Sequence, residues 1–238
     1  MTTATISTGS HAIDSLLGGG VHRGMITDVY GESGSGKSQL CFTLCANCAK
    51  QGATTLFIDT AGTFRPERVM EISSSQEVLE KITYIRALTT IDQKNATKII
   101  LGIEPTLVVV DTLTSLFSIE YSGPARHLAM MNYLHKLALL AIKSGCAVVV
   151  SNVVRTAPKT LIDQAGRNIA QAVVSSEQRE YLGSSVSIYS HIKIKLEIVD
   201  SAKSSFQAVL VQPIGKGSAP FTIQRDGIAD NNKVITSQ

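Results

Sequence analysis

Residues 31–48 read GESGSGKSQLCFTLCANC and hold two sets of residues able to do chemistry. Gly31-Glu32-Ser33-Gly34-Ser35-Gly36-Lys37-Ser38 satisfies G-x4-G-K-[ST], in which glycines let successive backbone N–H groups converge on phosphate oxygens. In such a loop the following helix adds its positive dipole end, the lysine reaches the β and γ phosphates, and the serine ligates Mg2+. Cys41, Cys45 and Cys48 follow as C-x3-C-x2-C, a spacing able to hold an iron–sulfur cluster through three thiolates. The two chemistries conflict. A cluster needs a flexible loop that wraps three thiolates around one iron cube, whereas a phosphate loop is followed at once by a helix.

The pattern around the loop decides between them. A β-like run at 25–30 enters it and a helical pattern at 37–51 leaves it. On that helix the three cysteines fall at i, i+4 and i+7, one stripe, which must pack onto the sheet, and a buried cysteine is an ordinary small core residue. The stretch therefore reads as a phosphate cradle. Leu107-Val108-Val109-Val110-Asp111 adds a buried strand ending in a carboxylate, the group that holds the metal or its water opposite Ser38. Adjacent parallel strands are expected to deliver Ser38 and Asp111 to the same carboxyl edge of a sheet. The cofactors that follow are a nucleoside triphosphate and Mg2+.

The elements that must position these groups show in the alternation of short apolar runs with helical patterns, the signature of an α/β fold with a mostly parallel sheet covered by helices. Strands are predicted at 25–30, 54–59, 82–86, 106–111 and 147–153, and helices at 37–51, 91–103 and 125–144. In the last helix Leu128, Met131, Leu134, Leu137 and Ala141 are spaced for one buried face. From Val186 the pattern changes. Ile192, Ile194, Leu196 and Ile198 alternate with Lys193, Lys195 and Glu197, and runs at 206–211 and 220–224 follow, predicting antiparallel strands that extend the sheet. Residues 154–182 lack a clear strand, which marks a functional or mobile loop, with 161–174 able to turn helical.

Composition bounds the rest. The 238 residues, 44% of them apolar, suffice for one packed domain spanning 1–238. A net charge of +3 is too small to make the whole surface a polyanion binder, so any nucleic-acid contact must be local. The polar N-terminus MTTATISTGS is no signal peptide, no run reaches 18 apolar residues, and the cysteine placement suits reduced thiols. The expectation is a soluble cytoplasmic protein with no membrane partner. The five histidines form no metal-like cluster in sequence, and with no Trp and 5% aromatics there is no obvious base-stacking platform; Tyr121 and Tyr189 read as packing residues.

Longer stretches carry a resemblance. Ile6-Ser7-Thr8-Gly9-Ser10, Leu16-Leu17-Gly18-Gly19-Gly20, residues 31–39 with Glu32 and Gln39, Phe57-Ile58-Asp59-Thr60 and Thr63-Phe64-Arg65-Pro66-Glu67-Arg68 resemble the RecA/RadA recombinase core. The similarity continues through 107–111, Tyr121-Ser122-Gly123, 148–152 and Phe221-x-Ile223-x4-Gly227-Ile228-x-Asp230. The chain starts directly at the core, without the N-terminal helical domain and linker of strand-exchange members, and so resembles most the archaeal RadB paralogues. The resemblance implies a RecA-like ATPase core with Gln39 joining the nucleotide loop. It also implies a role in homologous recombination and DNA repair, and a nucleoid-associated place in an archaeal cytoplasm. Its implied partners are DNA, single-stranded and bound without sequence preference, and a main recombinase of the RadA type; the oligomeric state is left open, with a homodimer paired through the nucleotide face as one possibility. DNA-contacting loops are implied at 114–126 and 154–182, the second carrying Arg155, Lys159, Arg167 and Arg179 among Asp163, Glu177 and Glu180.

Two positions depart from the family pattern. Where D-T-E-G-T-F-R-P-E-R has the glutamate that activates the attacking water, this chain has Ala61; where T-N-Q has the glutamine that senses the γ-phosphate, it has Val153. Loss of a positioned base costs about 10²- to 10⁴-fold in rate, so ATP hydrolysis is expected to be weak. No catalytic residue is assigned. Asp59, Glu67 and Asp92 are the carboxylates that could substitute, which would make the chain an active DNA-dependent ATPase or strand-exchange enzyme. A KaiC-like signalling ATPase is the other alternative.

Overall fold

The computed structural model describes residues 5–157, 161–162, 168–169, 177–202, 204–213 and 217–231. Among these, ten strands form one sheet. From edge to edge it runs Gly227–Asp230, Ser218–Gln224, Ser205–Gln212, Ile192–Asp200, Ile26–Gly31, Ala147–Ala157, Leu107–Asp111, Thr55–Asp59, Ile82–Arg86. The tenth, Glu177–Glu180, pairs with the far end of Ala147–Ala157. The six strands from Ile192–Asp200 to Ile82–Arg86 are parallel, and the three beyond Ile192–Asp200 run antiparallel. This is the α/β architecture that the alternation predicts.

Thr55–Asp59 and Leu107–Asp111 are buried at every position, as strands covered on both faces must be. Alternate side chains feed two cores. Phe57, Leu107, Val109 and Val149 join one with Cys41, Cys45 and Cys48; Leu56, Ile58, Val108, Val110 and Val148 join the other with Leu134 and Leu137. The three cysteines of the Lys37–Lys50 helix are wholly buried free thiols, and burial pushes Cys41 and Cys45 well above the usual thiol value. The stripe is core, as its spacing indicates.

Several expectations need correction. The Gly123–Ser144 helix buries Met130, Tyr133, Leu134, Leu137 and Ala141, while Leu128 is 62% exposed. Six residues before Leu134, Leu128 lies about 120° around the helix from it and points away from the sheet. The predicted helix 91–103 breaks into Thr90–Ala96, a 3-10 turn Thr97–Ile99 and a short helix Ile100–Ile103. At the break Thr97 Oγ1 donates to the Lys94 carbonyl at 2.7 Å, a back-bond that bends helices. Ile192–Asp200 pairs antiparallel with Ser205–Gln212, as expected, but on its other side it runs parallel to Ile26–Gly31, because it enters the sheet through a crossover.

The described parts of the two implied loops are also more regular than expected; of the second, residues 158–160, 163–167 and 170–176 lie outside the described residues. Residues 114–126 contain the Ser115–Glu120 helix and the start of the next. The Ala147–Ala157 strand continues past position 153 and pairs with Glu177–Glu180, which satisfies backbone groups beyond the sheet. Leu161–Ile162 pairs with Asn168–Ile169 as two short strands within the stretch read as able to turn helical. Among the described residues, no helix is long and apolar enough to cross a membrane.

Candidate functional site

The Lys37–Lys50 helix begins at Gly36, which takes a left-handed φ of 96° and leaves the helix N-terminus without a side-chain cap. A Cβ at Gly36 would come within 3.1 Å of Ile223, and one at Gly31 within 2.3 Å of the Leu196 carbonyl, so both positions need glycine. The uncapped N-terminus faces a cleft of about 300 Å³ lined by Ser33, Gly34, Gly36, Lys37, Ser38, Gln39, Asp111, Thr112, Val153 and Ile223. Ser35 is buried beneath the loop. Lys37 Nζ donates to the carbonyls of Gly31 at 3.0 Å and Glu32 at 2.6 Å. Burial pulls its ammonium below the ordinary lysine value, against the opposing pull of Asp111.

Ser38 Oγ donates to Asp111 Oδ2 at 2.8 Å. The two meet although their strands are not adjacent as expected: Ala147–Ala157 lies between Ile26–Gly31 and Leu107–Asp111. The loop carries the start of the helix over the intervening strand, and Ser38 reaches Asp111 from above. Thr63 Oγ1 donates to the same Asp111 oxygen at 3.3 Å, and Ser151 Oγ donates to Oδ1. Hydroxyl and carboxylate oxygens are the donor set that a hard divalent cation takes, and uncapped helix amides beside an ammonium suit a polyphosphate. The residues present fit Mg2+ with a nucleoside triphosphate. Gln39 is engaged on its own side, where its Oε1 accepts from Arg68 Nε at 2.8 Å.

Of the carboxylates that could replace the missing base, Asp59 and Asp92 are otherwise occupied. Asp59, fully buried, accepts the backbone N–H groups of Ala61, Gly62 and Thr63 on Oδ1 and of Phe64 on Oδ2, at 2.6 to 3.3 Å. Tyr84 and Arg86 also donate to it. Asp92 closes the capping box of its helix with Thr89, whose hydrogen bond holds the exposed carboxyl below its ordinary value. Glu67 sits exposed in the first turn of the Pro66–Ser73 helix, where its charge complements the helix dipole. Ala61 carries only a methyl on an exposed turn, and Val153 presents an aliphatic wall to the cleft.

Of the basic residues assigned to the second loop, Lys159 and Arg167 lie outside the described residues. Arg155 is exposed and its guanidinium stacks 3.8 Å from the Tyr181 ring centroid. Arg179 stands directly opposite Arg155 across the antiparallel pair. Arg126 Nη1 donates to Tyr181 Oη at 2.5 Å. Tyr181 and Arg126 were missed as a pair in sequence because 55 residues separate them. An aromatic ring with two arginine guanidinium groups against it, and a third arginine on the paired strand, is the composition of a nucleic-acid contact surface. Tyr121 and Tyr189 pack, against Phe117 and His135 respectively.

The chain matches the Rad51 family over residues 1–230. DNA repair protein RAD51 homolog B of Zea mays is 38% identical over 166 residues, covering 62% of this chain and 49% of the relative. DNA repair and recombination protein RadA of Cenarchaeum symbiosum (strain A) is 36% identical over 188 residues, covering 71% of this chain and 47% of the relative. The chain thus spans about half the length of the curated relatives it matches. The family match takes in every strand of the ten-stranded sheet, through to Asp230 at the end of the last, and the chain belongs to the Rad51 family within the RecA/RadA recombinase superfamily.

Proposed function

We propose that this chain is an ATP-binding accessory protein of homologous recombination and DNA repair, and that it turns ATP over slowly. One observation carries this: an intact phosphate cradle, closed by the Ser38–Asp111 pair at 2.8 Å, stands beside a methyl group at position 61 and an aliphatic wall at 153. Backbone amides from Gly34 to Ser38 and the Lys37 ammonium hold the β and γ phosphates, and Ser38 and Asp111 hold Mg2+. Bound ATP supplies a highly charged terminal phosphate whose presence differs between nucleotide states. No side chain at position 61 takes a proton from water, so binding is retained while cleavage lags.

DNA, single-stranded and bound through its backbone, lies against Arg155, Arg179, Arg126 and Tyr181, and a main recombinase of the RadA type is the protein partner. The relatives' names, DNA repair and recombination proteins, support the process. The missing base supports a RadB-like accessory role over strand exchange.

The test is ATP binding and steady-state hydrolysis measured on the same preparation across a titration of single-stranded DNA. Tight ATP·Mg2+ binding with little turnover is expected; strong DNA-stimulated hydrolysis contradicts the accessory role.

A further inference from the structure

We infer that Glu180 is a positioning residue that couples the nucleotide site to the hairpin formed by Ala147–Ala157 and Glu177–Glu180, through Ser151 and Asn152. The inference rests on the ATP and DNA binding proposed above and identifies how one would act on the other.

Ser151 and Asn152 are consecutive on one strand, so their side chains leave opposite faces of the sheet. Ser151 Oγ donates to Asp111 Oδ1, inside the candidate metal site. Asn152, fully buried, uses its whole hydrogen-bonding capacity. Its Nδ2 donates to Glu180 Oε1 at 2.7 Å and to the Tyr181 carbonyl at 2.9 Å, and its Oδ1 accepts from Thr114 Oγ1 at 2.7 Å and the Val153 N–H at 2.9 Å. An amide with both donors and both lone pairs engaged is locked in one orientation. A displacement of Ser151 that follows from what Asp111 binds is thereby passed to the end of the Glu177–Glu180 strand.

Glu180 does more than balance charge. Its other oxygen accepts from Lys193 Nζ, which also lies 3.1 Å from Asp28 Oδ2 and donates to Ser187 Oγ at 2.9 Å. Two carboxylates, Asp28 and Glu180, thus face a single ammonium in a buried setting, an arrangement that is unfavourable unless its hydrogen bonds fix something. What they fix is the hairpin. Glu177–Glu180 pairs only with Ala147–Ala157 among the described strands, and the next residue, Tyr181, carries the stacked guanidinium of Arg155. Gly183 makes room for this arrangement: a Cβ there would lie 2.7 Å from Glu180 Oε2. With an aliphatic residue at 153, no side-chain amide at that position offers a parallel route.

The experiment uses the full chain and a labelled oligo-dT probe, with anisotropy read at fixed salt with and without ATP·Mg2+, and a fluorescent ATP analogue titrated with and without the oligonucleotide. Coupling is reciprocal, so both titrations must give the same factor, expected at about fivefold or more in the parent. Glu180→Gln keeps the shape of the side chain, and removing its charge lets Asp28, 3.1 Å from Lys193, ionise in its place. It should keep ATP affinity in the absence of DNA within about twofold and bring the coupling factor close to one. Gly183→Ala keeps the charge and displaces the carboxylate; it should lower the factor in the same direction, and it decides the matter if Glu180→Gln fails to fold. Folded variants that couple as strongly as the parent overturn the inference. A parent that binds ATP and DNA without any coupling overturns it while leaving the proposed function standing, and a parent that binds neither removes both.

Discussion

Asp59 Oδ1 accepts the backbone N–H of Ala61 at 3.0 Å. The carboxylate nearest in sequence to the missing base is thus spent on shaping the turn that presents position 61. Four backbone amides, the Tyr84 hydroxyl and the Arg86 guanidinium surround it, and its proton-accepting lone pairs face the chain. Restoring the base should therefore restore the chemistry. Ala61→Glu is expected to raise steady-state ATP turnover by about 10²-fold with little change in ATP affinity, read by phosphate release with saturating single-stranded DNA. An unchanged rate would mean that another group already serves as base.

Asp59 itself should behave as a structural residue. Asp59→Ala frees four backbone N–H groups and the Tyr84 hydroxyl at once. The loss is expected to be about 3 kcal/mol, given that hydrogen bonds to a charged group contribute more than neutral ones. Urea unfolding of parent and variant gives the number directly, and a loss below about 0.5 kcal/mol, the size of an ordinary surface substitution, would contradict the assignment.

The phosphate loop and its acidic partner strand were legible in the sequence because each is contiguous, and the glycines, the lysine and the apolar run are defined by spacing alone. The cysteine stripe could be read for the same reason. What brings Ser38 to Asp111 could not be read, since it depends on strand order, and a third strand lies between the two. Lys193 shows the limit of periodicity. It occupies the polar phase of an alternating strand, yet it is 2% exposed, because Asp28 and Glu180 reach it from other elements. Leu128 errs in the other direction, being apolar in a plausible helical phase that the packing turns outward. Tyr181 gave no signal, since its neighbours Arg126 and Arg155 come from different elements.

The Asp28, Lys193 and Glu180 cluster predicts a pH dependence. Burial, and then the charge of Glu180, hold the Asp28 carboxyl well above its ordinary value of 3.8. The folded protein therefore keeps a proton there that the unfolded chain has released. That contribution to stability is complete below about pH 4 and is lost as pH rises through the raised folded value. Asp28→Asn carries the neutral form at every pH and leaves Lys193 paired with Glu180. Its stability relative to the parent should grow as pH is raised from about 4 to 8 in thermal unfolding, and a constant difference would count against a raised value.

At the candidate DNA surface Arg155 should act through backbone phosphate. Arg155→Ala is expected to weaken single-stranded DNA binding to a similar degree for all sequences and to reduce the slope of log affinity against log salt by about 0.7. A sequence-dependent loss with an unchanged salt slope would indicate base reading instead.

The most direct measurement is a single titration that follows ATP·Mg2+ occupancy and phosphate release together, in parent and Lys37→Ala proteins, with single-stranded DNA present. Saturable binding in the parent, lost in Lys37→Ala, with turnover that stays low at full occupancy, is the predicted result. Rapid DNA-stimulated release from the parent, or no binding at all, would contradict it.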